Sequence, residues 1–198
     1  MSHYFENDEN LNHDIRKKEI FINDIRFEFF TDRGVFSKEN LDFGTRQLLK
    51  RIKVKPNIKT AIDMGCGYGP IGIYLAKMNP NAHIYMYDVN SRAIDLAKKN
   101  SEINQVTNTT IEKSYLFEHV VVNADLIITN PPIRAGKDVV YDLYEQSYLH
   151  LNQGGSFYCV IQKKQGAAST YKKLVDLFSN CVIVAKEKGY WILLSKKA

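Results

Sequence analysis

Two short segments concentrate the residues able to do chemistry. The first, Asp63-Met64-Gly65-Cys66-Gly67-Tyr68-Gly69, follows an apolar run and leads into Pro70. Proline suits the first position of a helix, where its missing N–H costs nothing. Three glycines let the chain turn tightly and let a ligand approach the backbone. Two cofactors suit such a turn. Read as G-x-G-x-x-G over Gly67–Gly72, it is the dinucleotide fingerprint. Read as D-x-G-x-G-x-G from Asp63, it is the turn that holds S-adenosylmethionine, with Asp63 receiving an ammonium directly or through water. Asp88 closes the next apolar run, where a carboxylate can accept from both hydroxyls of a ribose or favour a helix start at Ser91. Either cofactor has that ribose. The second segment is Asn130-Pro131-Pro132-Ile133. Two prolines remove two backbone donors and fix two φ angles, and Asn130 is pushed toward an extended conformation. The result is a rigid stub at a strand end.

The rest of the chain must position these segments. Short apolar runs at 59–64, 83–88, 109–112, 125–129, 156–162, 181–186 and 190–195 read as strands. Helical patterns fall at 70–79, 91–103, 138–151 and 169–178. This alternation predicts an α/β fold with a mostly parallel sheet covered on both faces. Only Glu187-Lys188-Gly189 separates the last two strands, too few residues for a parallel crossover, so that pair must be antiparallel. Before the core, Ile20–Ile22 and Ile25–Phe29 flank Asn23-Asp24, a two-residue hairpin signal. A helix follows from near Thr45, with Leu48, Leu49 and Ile52 on its apolar stripe, ending before Pro56. The expected organisation is a flexible lead over 1–15 and one domain over 16–198. Within it, 16–58 forms the hairpin and helix and 59–198 the cofactor-binding core.

Composition narrows the class. The chain has 198 residues, with 44% hydrophobic and 25% charged, ordinary for one globular domain. No apolar run approaches bilayer length, and the polar, acidic first ten residues do not read as a signal peptide. Cys66, Cys159 and Cys181 form no C-x-x-C pair, and free thiols fit a reducing cytosol, so a cytoplasmic location is expected. His3, His13, His83, His119 and His150 fall at no metal-ligand spacing, so no metal is expected. The net charge is +5, and residues 131–198 carry all of the excess, ten Lys/Arg against five Asp/Glu. Such a bias suits a polyanion partner or a set of solvated helix faces.

Asp63–Gly69 together with Asn130–Ile133 resembles class I S-adenosylmethionine-dependent methyltransferases that methylate planar amino nitrogens. The resemblance narrows through Gly34-Val35-Phe36-Ser37, Leu41-Asp42-Phe43-Gly44-Thr45, Asn130–Lys137 and Ile161–Ala167. These segments are similar to the "methyltransferase small" domain family, which includes 16S rRNA guanine-N2 methyltransferases of the C type. The similarity covers roughly residues 16–198. It implies a Rossmann-like, seven-stranded sheet with an antiparallel last strand and a small N-terminal β addition. It implies S-adenosyl-L-methionine as cofactor and RNA as substrate, small-subunit rRNA or an assembled small subunit. It also implies that Asn130, Pro131, Pro132 and Ile133 hold the target amine. An exocyclic amine is a weak nucleophile that reacts when held in line with the methyl–sulfur bond. The Asn130 side-chain oxygen and the Pro131 carbonyl can each accept one N–H, so no strong general base is needed.

Further candidates follow from the same resemblance. Gly65, Cys66, Gly67, Tyr68, Gly69, Val89, Ser114, Tyr115, Phe43, Gly44, Thr45 and also Asn130 are expected on the cofactor side, with Thr45 alternatively a helix cap. Cys66 reads as a small filler rather than a reactive thiol. Arg134, Lys137, Lys163 and Lys164 sit just past strand ends and suit phosphate contacts. Relatives acting on adenine carry an aromatic where Ile133 stands. Its absence favours guanine N2 and leaves Phe36 as a possible stacking surface. Open alternatives are adenine-N6 or protein glutamine-amide methylation, NAD-dependent oxidoreduction, and a non-enzymatic RNA-binding module.

Overall fold

The computed structural model describes residues 14–32 and 41–198. Most of the expected lead, and Gly34–Ser37 with Phe36, lie outside the described residues. The N-terminal hairpin forms as its turn chemistry dictates. Strands β1 (Arg16–Ile22) and β2 (Ile25–Thr31) pair antiparallel through Asn23 and Asp24. Both turn residues are left-handed, φ 47° and 65°, as a tight two-residue turn requires. Ile20, Ile22, Phe27 and Phe29 are buried beneath the ribbon.

Helix α1 (Phe43–Arg51) starts two residues before Thr45, because the cap is Asp42. The Thr45 N–H donates to Asp42 Oδ2 at 2.9 Å. The core then alternates through β3 (Thr60–Met64), α2 (Pro70–Met78), β4 (His83–Asp88), α3 (Ser91–Ile103) and β5 (Thr109–Lys113). It continues with β6 (Ala124–Thr129), α4 (Lys137–His150), β7 (Leu151–Gln162), α5 (Ala167–Phe178), β8 (Val182–Glu187) and β9 (Tyr190–Lys196).

The strands form one seven-stranded sheet in the order β5-β4-β3-β6-β7-β9-β8. The expected Rossmann-like α/β architecture is therefore present. Strand β9 lies antiparallel between β7 and β8, and the other pairings are parallel. Its turn at Lys188-Gly189 is again left-handed at both residues, φ 45° and 83°.

Within the core, two boundaries move by two or more residues from the sequence expectation. Strand β7 begins at Leu151 rather than 156: Leu151 pairs with Ala124 and Ser156 with Leu126, and Asn152–Gly155 bulge out of the β6 ladder between them, held instead by Lys197. Helix α5 begins at 167 rather than 169, because Gly166, at φ 101°, is the residue that ends the preceding turn.

Both faces of the sheet are covered, one by the hairpin, α1, α2 and α3, the other by α4 and α5. The chain runs outward from β3 through β4 to β5, then returns to place β6 on the other side of β3. That reversal leaves a crevice at the carboxyl ends of β3 and β6, where doubly wound sheets bind ligands. The buried Thr129 hydroxyl donates to the Met64 carbonyl at 2.8 Å and ties those two ends together.

Candidate active site

Each of the two motifs ends one of these tied strands. The glycine turn after β3 is held by its neighbour: Gly65 and Cys66 N–H donate to the Tyr87 carbonyl at 2.8 and 2.9 Å. Gly67 N–H donates to Asp88 Oδ2 at 2.8 Å, and Asn90 N–H to its other oxygen at 2.9 Å. Asn90, not Asp88, caps α3. Asp88 is only partly buried, and that burial pushes its carboxyl up against the pull of these N–H donors. Gly65 and Gly67 have φ of 76° and 56°, and a Cβ on either would meet nothing within 4 Å. The turn thus exposes bare backbone to open space.

Asp63 lies beneath it, 0% exposed. One oxygen accepts from Gly72 N–H, in the first turn of α2, at 2.8 Å. The other, Oδ1, is buried with no hydrogen-bond partner. Burial is the main cause that raises this carboxyl to about 8; the Gly72 N–H opposes it and the Asp88 charge adds to it. Cys66 is buried and its thiol is pushed well above its usual range by that burial and by Asp88 and Asp63, as suits an inert filler. Tyr68 points into the core, its ring edge-on to Phe29, and Gly69 packs against Ile73 and Met86.

The stub after β6 faces this turn. Asn130 and Pro132 line a cleft with Met64, Gly65, Asp88 and Val89, and with Ser114 and Tyr115 after β5. The Ser114 hydroxyl is engaged within its own turn, donating to the Leu116 carbonyl at 2.8 Å. Ile133 N–H donates to the Pro131 carbonyl at 2.9 Å, so that oxygen keeps one lone pair. Ile133 is half-buried against the α4 side. The Asn130 side-chain NH2 donates to Asp42 Oδ2 and Thr45 Oγ1, each at 3.0 Å. Helix α1 therefore reaches the site from the far side of the β6 end. Asp42 is the residue that sequence reasoning passed over. Its partner stands 88 positions away, and the signal at hand was its place in the Leu41–Thr45 segment that carries the family resemblance.

Phe43 stacks obliquely on Tyr190, ring centroids 5.4 Å apart, under the Lys188 ammonium at 5.6 Å. The structure turns Phe43 toward the β8–β9 turn, and Gly44 packs against Asp42 and Tyr190. Arg134 is exposed beside the stub, and Lys137 lies over Tyr141 at 5.0 Å. Lys163 and Lys164 are exposed after β7, where Lys163 N–H donates to the Gly189 carbonyl at 2.6 Å. A hollow of about 440 Å³ at the amino ends of β4 and β5 contains neither motif. Among the described residues no group of three or more His, Cys, Asp or Glu could hold a metal ion. No described helix is long and apolar enough to cross a membrane.

The chain is 47% identical over 174 residues to the Bacillus subtilis (strain 168) protein named Uncharacterized protein YbxB, covering 86% of each. It is 36% identical over 168 residues to Ribosomal RNA small subunit methyltransferase C of Haemophilus influenzae (strain PittGG), covering 83% of this chain and 49% of that one. It spans about half the length of the rRNA methyltransferases it matches. Among solved structures, it superposes on the 16S rRNA N2 methyltransferase (RsmC) of T. thermophilus, in complex with AdoMet and guanosine, with a TM-score of 0.83. That match has 23% identity over 93% of this chain and 51% of that chain, so it speaks to the fold. The methyltransferase small domain model matches residues 26–194, and the chain belongs to that family.

Proposed function

We propose that the protein transfers a methyl group from S-adenosylmethionine to an exocyclic amine of ribosomal RNA, guanine N2 of the small subunit. The observation that carries the reading is the placement of the Asn130-Pro131-Pro132 stub one strand from an open glycine turn, with the Asn130 amide nitrogen already occupied. The site fits the cofactor. Asp63 Oδ1 is a buried acceptor without a partner, suited to an ammonium through a water or a small shift of the turn. The bare backbone at Gly65 and Gly67 leaves room for a ligand, and Asp88 keeps lone pairs for ribose hydroxyls. When bound, the cofactor supplies an electrophilic methyl whose bond to sulfur breaks, the electron pair staying on sulfur, as the bond to nitrogen forms.

The remaining work falls to the chain. Asn130 Oδ1 and the Pro131 carbonyl accept the two N–H groups of the amine and aim its lone pair. As nitrogen gains positive charge, both acceptors strengthen, and the extra proton leaves to water. The base must be splayed from its stack to reach Asn130. Ile133 offers dispersion without stacking, which supports guanine N2 over adenine N6. Phe36, outside the described residues, is the stacking surface of this reading. Arg134, Lys137, Lys163 and Lys164 supply sequence-independent phosphate contacts. The substrate is small-subunit rRNA, free or assembled, and the work is done in the cytoplasm.

Labelled S-adenosylmethionine with small subunits, free rRNA and protein extract from cells lacking the gene tests this. Digestion and mass spectrometry should place the label in N2-methylguanosine. Label in N6-methyladenosine or in protein glutamine would replace the substrate.

A further inference from the structure

We infer that Asp42 is a positioning residue for the methyl-accepting amine, because it sets which end of the Asn130 amide faces the cleft. The inference rests on the reading of Asn130 as the amine's acceptor. A side-chain amide has a donor at one end and an acceptor at the other, nearly equal in size, so sterics do not choose between them. Chemistry does. Asp42 Oδ2 accepts from Thr45 N–H at 2.9 Å and sits 3.0 Å from Asn130. A carboxylate only accepts, so the NH2 end must face it. Thr45 Oγ1, also at 3.0 Å, is indifferent, since a hydroxyl can donate or accept.

The opposite end, Oδ1, accepts no hydrogen bond from the described residues and belongs to a residue that lines the cleft. With the amide reversed, donors would confront the donors of the amine. Gly44 protects the arrangement. A Cβ there would come within 3.0 Å of both Asp42 Oδ2 and the Tyr190 ring. The negative charge of Asp42 also polarises the amide, which strengthens Oδ1 as an acceptor when the nitrogen of the amine turns positive.

The logic makes the two positions exchangeable only as a pair. Asn130→Asp sets two carboxylates about 3 Å apart, which cannot both ionise freely. Adding Asp42→Asn removes one of the two carboxylates and can turn an NH2 toward position 130, at the expense of the Thr45 N–H bond to the same atom. With the full chain and the RNA it methylates, Asn130→Asp should lower kcat about a hundredfold while the cofactor Kd stays within twofold. The Asp42→Asn/Asn130→Asp double variant should recover at least about tenfold of that loss. Asp42→Ser keeps a cap for Thr45 but is too short to reach Asn130. It should lower kcat about tenfold with KM for RNA nearly unchanged.

Wild-type kcat in Asp42→Ser, or a double variant no better than Asn130→Asp alone, would overturn the inference. Should Asp42→Ser fail to fold, the exchange pair carries the decision. A readout free of turnover separates the two claims. The Asn130 side-chain NH2 should exchange slowly with solvent by NMR in the wild type and rapidly in Asp42→Ser. Equal exchange rates overturn the role of Asp42 even in an active enzyme. A wild type that methylates nothing overturns the acceptor reading, and the NMR comparison still decides whether Asp42 holds the amide.

Discussion

Replacing Asp63 with asparagine removes a charge without removing a shape. Asp63→Asn keeps an acceptor for Gly72 N–H and puts an NH2 where the second oxygen stood. In the free protein the Asp63 carboxyl holds its proton to about pH 8. A bound ammonium favours the ionised form. If binding draws the carboxyl down to about 6, the coupling is about 2 pH units, or about 2.7 kcal/mol. About a quarter of the free protein is ionised at pH 7.5 and about 3% at pH 6.5. The wild type should then bind S-adenosylmethionine about 25-fold tighter than Asp63→Asn at pH 7.5, but only about fourfold tighter at pH 6.5. The window stops at 7.5 because an α-ammonium itself titrates near 8. Calorimetry at pH 7 in two buffers of different ionisation enthalpy should show release of about 0.8 proton in the wild type and none in the variant. Equal Kd at both pH values, with no buffer-dependent enthalpy, would refute the ammonium reading and leave Asp63 as an anchor for α2. The sign for stability is opposite to that of a salt-bridged carboxylate. With its folded value raised, the group stabilises the free protein at low pH, and that stability is lost as pH rises from 3.8 to about 8. Asp63→Asn should therefore raise the Tm of the free protein at pH 9.

Three other outcomes are expected. Gly65→Ala has room for its methyl but must hold φ 76°, so calorimetry should show about 1–2 kcal/mol lost from stability and cofactor affinity at least about tenfold weaker. Asn100→Ala leaves the Phe30 N–H, the Phe30 carbonyl and the Tyr68 carbonyl without their partner. It should cost about 3 kcal/mol and lower Tm by about 6–12 °C in a thermal scan. Lys163→Ala with Lys164→Ala should weaken RNA binding at low salt and flatten the log–log salt dependence by about 1.5, read by filter binding between about 50 and 200 mM salt. A slope equal to wild type would remove both lysines from the phosphate path.

Turn chemistry made much of this fold legible. Asn23-Asp24 announces a two-residue hairpin and Glu187-Lys188-Gly189 a connection too short to be parallel, and Asn23, Asp24, Lys188 and Gly189 all adopt left-handed angles. The glycine turn and the proline stub were readable because each combines a rare residue pattern with a strand end. What the chain's own order hides is partnership across distance. Asn152–Gly155 looks like a loop, and what holds it in the strand is distant in sequence: Gly154 N–H donates to the Lys197 carbonyl at 2.8 Å and Lys197 N–H to the Gly155 carbonyl at 3.0 Å. Thr45 was read as the helix cap, but the cap is Asp42, whose contact with Asn130 exists only once β6 brings the two within 3.0 Å. Phe43 was expected on the cofactor side from the family resemblance, and its ring contact with Tyr190, from the last strand, has no local signal in the sequence. Phe36, the other aromatic considered for stacking, lies outside the described residues.

Asn100 has a consequence for how the molecule breathes. Its one buried side chain grips the edge of β2 through both polar groups of Phe30 and, on the other side, the Tyr68 carbonyl inside the glycine turn. Asn104, one helical turn on, repeats the grip at Glu28, with bonds of 3.1 and 2.6 Å. A ribbon that looks like an N-terminal ornament is thereby clamped to the same helix that steadies the cofactor turn. Opening either one leaves a buried polar atom of Asn100 without its partner. The hairpin and the turn should therefore exchange their amide hydrogens as one cooperative unit, and whatever presses on the ribbon is felt at the glycine turn proposed to hold the cofactor.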